Sequence, residues 1–130
     1  MIPRAAVAEI QRGGALDPSV QALVNSPWIV TVDPGAIFAA VAALKLGTGE
    51  SAVLSHAFAN PGSGVILDDR AARKAALALG LPVQGTLGLI LMAKRIGLVQ
   101  AARPILEQLR QQGMFLSDKL LSQALAQVGE

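Results

Sequence analysis

Residues 65–67, Val-Ile-Leu, run without a spacer into Asp68-Asp69 and a helix-forming stretch, and residues 82–85 follow after Gly80. A strand, a helix and another strand on links this short leave few options. The two strands lie parallel, and the helix crosses over one face of their sheet. In an open α/β sheet, ligands gather beyond the carboxyl ends of the strands. Asp68 and Asp69 sit where such a strand ends. Two roles compete for them: the N-cap of the helix, a position that favours Asp, or the ligation of a metal ion.

The other boundaries are set by local chemistry. Pro3 suits a first helical position and opens a helix through Ile10, stopped by Gly13-Gly14. Asp17-Pro18 reads as an N-cap and first-turn proline, giving a second helix to Val24. Residues 28–32, Trp-Ile-Val-Thr-Val, are rich in strand formers and predict a strand with Trp28 in the core. Residues 37–46 are Ala-rich and almost wholly apolar, which predicts a buried helix ended by Gly47. Another helix starts at Thr48-Gly49-Glu50 and ends near Asn60-Pro61-Gly62. The crossover helix spans 69–79, and residues 82–85 have room for one short strand. Thr86 is expected to cap a helix to Ile96. Residues 101–112 form the next helix, with Pro104 tolerable only in its first turn. Ser117 or Asp118 caps the last helix, which runs to Val128. The pattern is seven or eight helices and three short strands: a helix-rich α/β chain that fits one domain over residues 1–130.

Composition removes several function classes. The chain has 130 residues, 52% of them hydrophobic, so it can bury a core. With no cysteine, disulfides and thiolate metal sites are excluded. A net charge of +2 implies no strong field for nucleic acid, although basic residues cluster at Arg70, Arg73 and Lys74 and again at Lys94 and Arg95. The uncharged run 75–93 is broken by Gly80, Pro82 and Gly85, so it does not read as a membrane span. No signal peptide is apparent, and the expected location is the cytoplasm.

The chemical candidates are Glu9, Glu50, Asp68 and Asp69. Hard divalent ions take carboxylate oxygens, and a site of this kind can activate water against a phosphodiester. Each acid also has a structural reading. Glu50 falls in a helix first turn, where negative charge suits the dipole. Glu9 would sit on a solvated surface. His56, the single histidine, has no second histidine or cysteine with which to build a zinc site and reads as structural. Ser51 and Ser55 lack a nucleophile-elbow context. Gly85-Thr86-Leu87-Gly88 opens a helix and could offer free N–H groups to a phosphate, or serve only as a turn.

Taken together, residues 47–54 (Gly-Thr-Gly-Glu-Ser-Ala-Val-Leu), 65–73 (Val-Ile-Leu-Asp-Asp-Arg-Ala-Ala-Arg) and 80–88 (Gly-Leu-Pro-Val-Gln-Gly-Thr-Leu-Gly) resemble the PIN-like family of prokaryotic proteins. Ala93-Lys94-Arg95, Gly97-Leu98 and residues 113–118 also fit, so the likeness covers nearly the whole chain. It implies a three-layer PIN-like α/β fold with a short parallel sheet. It also implies a ribonuclease, often the toxin of a toxin–antitoxin pair, that hydrolyses RNA phosphodiesters with Mg²⁺ or Mn²⁺ held by acids. By the same likeness Glu9, Glu50 and Asp69 match the family's acids as catalytic residues and metal ligands, with Asp68 as a neighbouring ligand. Arg70, Arg73 and Lys94 are then candidates for the RNA backbone.

The family's pattern opens with a strand that ends in an Asp. This chain instead starts at what reads as the end of the family's second strand, so the first acid has no counterpart and the fold reads as N-terminally truncated. Three readings follow: a start further upstream, a strand supplied by another chain, or a catalytically inactive PIN relative that acts through association. The expected partners are RNA, an antitoxin-like protein and a second copy in a homodimer, with no membrane.

Overall fold

The computed structural model describes residues 1–130. They form β1 (Ile2–Pro3), α1 (Arg4–Gln11), α2 (Pro18–Val24), β2 (Thr31–Val32), α3 (Ala39–Ala42) and α4 (Thr48–Ala59). These are followed by β3 (Val65–Ile66), α5 (Arg70–Ala78), β4 (Val83–Gln84), α6 (Thr86–Arg95), α7 (Arg103–Gln111) and α8 (Asp118–Ala126). The fold is the expected helix-rich α/β type with short parallel sheets. Residues 1–83 and 84–130 make two compact units.

In the first unit β1 lies parallel to β2, with Ile2 opposite Thr31 and Pro3 opposite Val32. Parallel neighbours need a long crossover, and α1 and α2 supply it. β3 pairs with β4 in a separate two-stranded sheet, joined through α5. Asp69 is the N-cap of α5; its Oδ1 accepts the Ala72 N–H at 2.8 Å. Asp17 caps α2 as its sequence suggests, accepting from Ser19 N–H at 2.7 Å. The core of this unit joins Val41, Leu54 and Ala57 to Val65, Leu67, Ala72, Ala75 and Ala76. On α5 the buried alanines fall at Ala72, Ala75 and Ala76, the i, i+3, i+4 spacing of one helix face. Small side chains there let the helix lie close against Val65 of β3 and Leu67 just after it.

Two sequence-based expectations fail in this unit. Trp28 is 79% exposed, and the strand is confined to Thr31–Val32. The cause is Pro27: the Ile29 N–H closes a turn onto the Ser26 carbonyl at 2.9 Å. Pro27 thereby takes the second turn position that its fixed φ favours, and Trp28 is carried outward. The buried helix expected over 37–46 shrinks to Ala39–Ala42, with only Val41 buried. Phe38 stays extended, donates its N–H to Ser55 Oγ at 3.3 Å and packs edge-on against Phe58 at 5.2 Å. Downstream, Lys45 enters the left-handed region at φ 52°, which ends any helical run.

The second unit is built from α6, α7 and α8 around Ile90, Leu91, Leu106, Leu116, Leu121 and Leu125. The N-cap of α6 falls on Gly85 rather than Thr86, which becomes the first helical residue. The Gln84 side chain lies against Gly88 in the same turn. Ser117 caps α8 through the Leu120 N–H at 3.2 Å. The start of α7 has no side-chain cap from its own N-cap residue. Glu130 fills that role: its two carboxylate oxygens accept the N–H groups of Ala102 at 2.7 Å and Arg103 at 3.0 Å.

These backbone donors hold the Glu130 carboxyl below the ordinary carboxylate value of 4.5, with Lys94 and Arg103 adding to the effect. A carboxylate with a depressed folded-state pKa adds stability above its unfolded pKa. That stability is lost as pH falls through the lower, folded value. Thermal melts of the wild type are therefore expected to show a destabilisation developing below pH 4.5. Glu130→Gln should flatten that part of the profile; an unchanged profile would show that the cap carries no pH-linked stability.

Candidate active site

The first turn of α4 concentrates the chemistry of the first unit. Gly47 is its N-cap and offers no side-chain oxygen. The open N–H groups at this end must find acceptors elsewhere. Glu9, on α1, provides one: its Oε1 accepts the Gly49 N–H at 2.9 Å. Glu50 is the acidic residue of the first turn, and its carboxylate folds back against Gly47. Two carboxylates from separate helices thus converge on the positive end of one helix, where the partial charge of the backbone favours them.

Both acids line a cavity of about 720 Å³. Its walls are residues 1–3 and 63–67, with the facing sides of α1 and α4. Most of the lining is apolar: Ile2, Ala6, Ile10, Val53, Ile66 and Leu67 among others. His56 also lines it, and its Nε2 is buried without a hydrogen-bond partner. Glu50, Val53, His56 and Ala57 follow the i, i+3, i+6, i+7 order of a single helix face. That spacing was the available signal for His56, but a lone histidine carries no ligand pattern to single it out. The backbone N–H of Gly49 had no signal in the sequence at all.

The candidate residues are placed as follows. Glu9 and Glu50 share the cavity. Leu67 is in the lining, whereas Asp68 and Asp69, which follow it directly, are not. Asp69 caps α5, and Asp68 is exposed at the end of β3. Arg70 and Arg73 are exposed on α5. Lys94 belongs to the 84–130 unit, where its Nζ donates to the Gln100 carbonyl at 2.5 Å and lies 3.9 Å from Glu130. No three His, Cys, Asp or Glu side chains converge into a ready metal cage.

The donors present nonetheless suit a hard divalent ion in kind and number. Mg²⁺ keeps several waters and takes only one or two protein carboxylates when substrate phosphates complete its shell. Glu9 and Glu50 are two such carboxylates on one cavity, and only one Glu9 oxygen is committed to Gly49.

A side chain at Gly49 would displace the Glu9 carboxylate from its bond. A Cβ there would collide with the Glu9 carboxylate and lie 3.4 Å from the Ala6 Cα. Gly49→Ala should therefore lower the melting temperature, although alanine in a helix is intrinsically favoured by about 1 kcal/mol. Glu9→Ala, which leaves the Gly49 N–H without its acceptor, should cost about 1–3 kcal/mol in denaturant unfolding. Glu9→Gln, which keeps an oxygen acceptor, should cost less.

Comparison with protein families matches the whole of residues 1–130 to the model of DUF3368, described as a PIN domain. No curated protein and no solved structure matches the chain.

Proposed function

This chain belongs to the PIN-domain family, a nuclease-related group, and from that premise we propose that it is a Mg²⁺- or Mn²⁺-dependent ribonuclease of toxin–antitoxin type, its 130 residues acting as one PIN domain. The observation that carries the reading is the pair Glu9 and Glu50, two carboxylates from different helices on one cavity. These two would hold the ion. When bound, the ion supplies activation of water and stabilisation of the leaving oxygen in phosphodiester hydrolysis.

The chain's own residues do the rest. Glu9 is fixed by its bond to Gly49, so its second oxygen is oriented without further ordering cost. Arg70 and Arg73, exposed on α5 directly after the acid pair Asp68-Asp69, offer cations to RNA phosphates, and affinity through them should weaken with salt. Asp68 and Asp69 are further acids by family likeness only; neither lines the cavity that Glu9 and Glu50 share. The fact that no third acid meets Glu9 and Glu50 favours a second reading, a non-catalytic PIN protein that acts by binding a partner protein or a second copy.

Asn is as good an N-cap as Asp, so Asp69→Asn separates the cap of α5 from a role in chemistry. On the nuclease reading, the purified protein cleaves RNA only with Mg²⁺ or Mn²⁺. Glu50→Gln and Asp69→Asn should each reduce the rate by about 100-fold or more, of the order lost when one transition-state-stabilising group is removed, while the Asp69→Asn melting temperature stays unchanged. Full activity in both variants would refute the assignment of these acids. No metal-stimulated cleavage by the wild type would favour the non-catalytic reading.

A further inference from the structure

α5 carries its charges where they least suit the helix. Residues 70–78, Arg-Ala-Ala-Arg-Lys-Ala-Ala-Leu-Ala, include Arg70, Arg73 and Lys74 but no acid. All of these cations fall in the N-terminal half, and the last turn has none. The N-terminal end of a helix is its positive end, so cations are disfavoured there and would be favoured in the last turn. Arg73 and Lys74 also stand three and four residues from Arg70, the spacings at which like charges on a helix repel. Asp69, just before the helix, is committed through Oδ1 to the Ala72 N–H. In the 84–130 unit the cations are handled differently. Lys94 lies 3.9 Å from Glu130, Arg103 3.8 Å from Glu107 and Arg110 2.6 Å from Asp118. None of Arg70, Arg73 and Lys74 is in an ion pair. A charge arrangement that costs the helix stability and gains no partner within the chain points to a partner outside it.

The rest of the same face narrows what that partner is. The buried side of α5 is Ala72, Ala75 and Ala76, so the opposite side looks outward. Arg70, Lys74 and Leu77 follow i, i+4, i+7 along the middle of the outward side, with Arg73 on one flank and Ala71 and Ala78 on the other. All six are exposed, Leu77 to 66%. The face thus has a cationic half and an apolar half. RNA phosphates would use the cations and leave Leu77 bare, and α5 carries no aromatic side chain to stack a base. A polypeptide uses both halves. The small side chains of Ala71 and Ala78 let another helix approach to packing distance.

We propose that the outward face of α5 docks an acidic helix of a partner protein, with two or three Asp or Glu side chains set against Arg70, Arg73 and Lys74 and an apolar side chain one turn further on against Leu77. Carboxylates there take charge-assisted hydrogen bonds from the two guanidinium groups and relieve the repulsion within α5. The contact is small and largely electrostatic, so its affinity should fall with salt. On the nuclease reading the same arginines serve RNA, and a docked helix and RNA then exclude each other at this face. The docking itself goes beyond that reading and requires neither RNA nor metal.

The test uses the full chain and a phage-displayed library of helical peptides of about twenty residues, long enough to hold a helix alone, randomised along one face. The enriched sequences should carry at least two Asp or Glu at i, i+3 or i, i+4 spacing, with an apolar residue one turn away. A synthetic peptide of the enriched sequence should shift the NMR amide signals of α5. It should bind Arg70→Gln/Arg73→Gln/Lys74→Gln at least tenfold more weakly than the wild type, and Leu77→Ser at least threefold more weakly. A charge swap separates lost contacts from lost folding. The peptide with its acids changed to Lys should fail to bind the wild type yet bind Arg70→Glu/Arg73→Glu/Lys74→Glu, a variant whose acids suit that end of the helix. Enrichment of sequences without acids, equal binding by the Gln variant, unshifted α5 signals, or no rescue in the swap would overturn the proposal. So would binding at these residues by an RNA oligomer or by anionic vesicles but not by the peptide. Peptide binding without RNA cleavage would refute the nuclease reading alone, and cleavage without peptide binding would refute this one alone.

Discussion

The hydrogen bond from the Gly49 N–H to Glu9 Oε1 joins two helices that are 40 residues apart in the chain. It exists because Gly47 leaves α4 without a cap of its own, and because Gly49 has no Cβ to keep the carboxylate away. A partly buried N–H without an acceptor is costly, so α1 is held where it can supply one. Once α1 is fixed there, β1, which leads directly into it, is fixed beside β2. Glu9 is brought to the same helix end as Glu50. One local shortage at a helix terminus therefore determines both the placement of the first strand pair and the meeting of the two acids.

The same economy makes the acids ambiguous as chemistry. A carboxylate at a helix N-terminus satisfies N–H groups and the dipole whether or not it binds anything else. Asp69 at α5, Asp17 at α2 and Glu130 at α7 all perform this service. What separates Glu9 and Glu50 from those three is position: both open onto a single cavity with mostly apolar walls and no Lys or Arg in its lining. A capping acid on an open surface is solvated on its other side. In an apolar cavity the same group faces water that a ligand can displace, and a countercharge there meets less screening.

The sequence revealed the parts of the fold that depend on local chemistry. Asp17-Pro18, Asp69 and Ser117 marked helix starts because capping is settled within three residues. The strand–helix–strand unit from 65 to 84 was legible because short links leave one arrangement. Expectations failed where hydrophobicity stood in for burial. Trp28 looked like core, yet a turn at Pro27 decided its direction. Residues 37–46 looked like a buried helix, yet alanine side chains bury little area, and the bond from Phe38 to Ser55 held the start extended. Of the candidate site, the grouping of Glu9 with Glu50 was accessible only through family likeness, since no spacing rule links residues on separate helices. His56 was visible as a residue but not as part of a cavity.

Two-residue strands are weak elements on their own, because each gains few ladder bonds and leaves an open edge. Short strands and a rim proline are also the usual means of keeping an edge from recruiting neighbours, and β1 has both, with Pro3 removing one donor. β3 is different. Its edge carries no proline, Ile66 is more than half exposed, and Gly64 beside it adds no side chain to shield the backbone. The edge of β1 is thus blunted, and that of β3 is left bare.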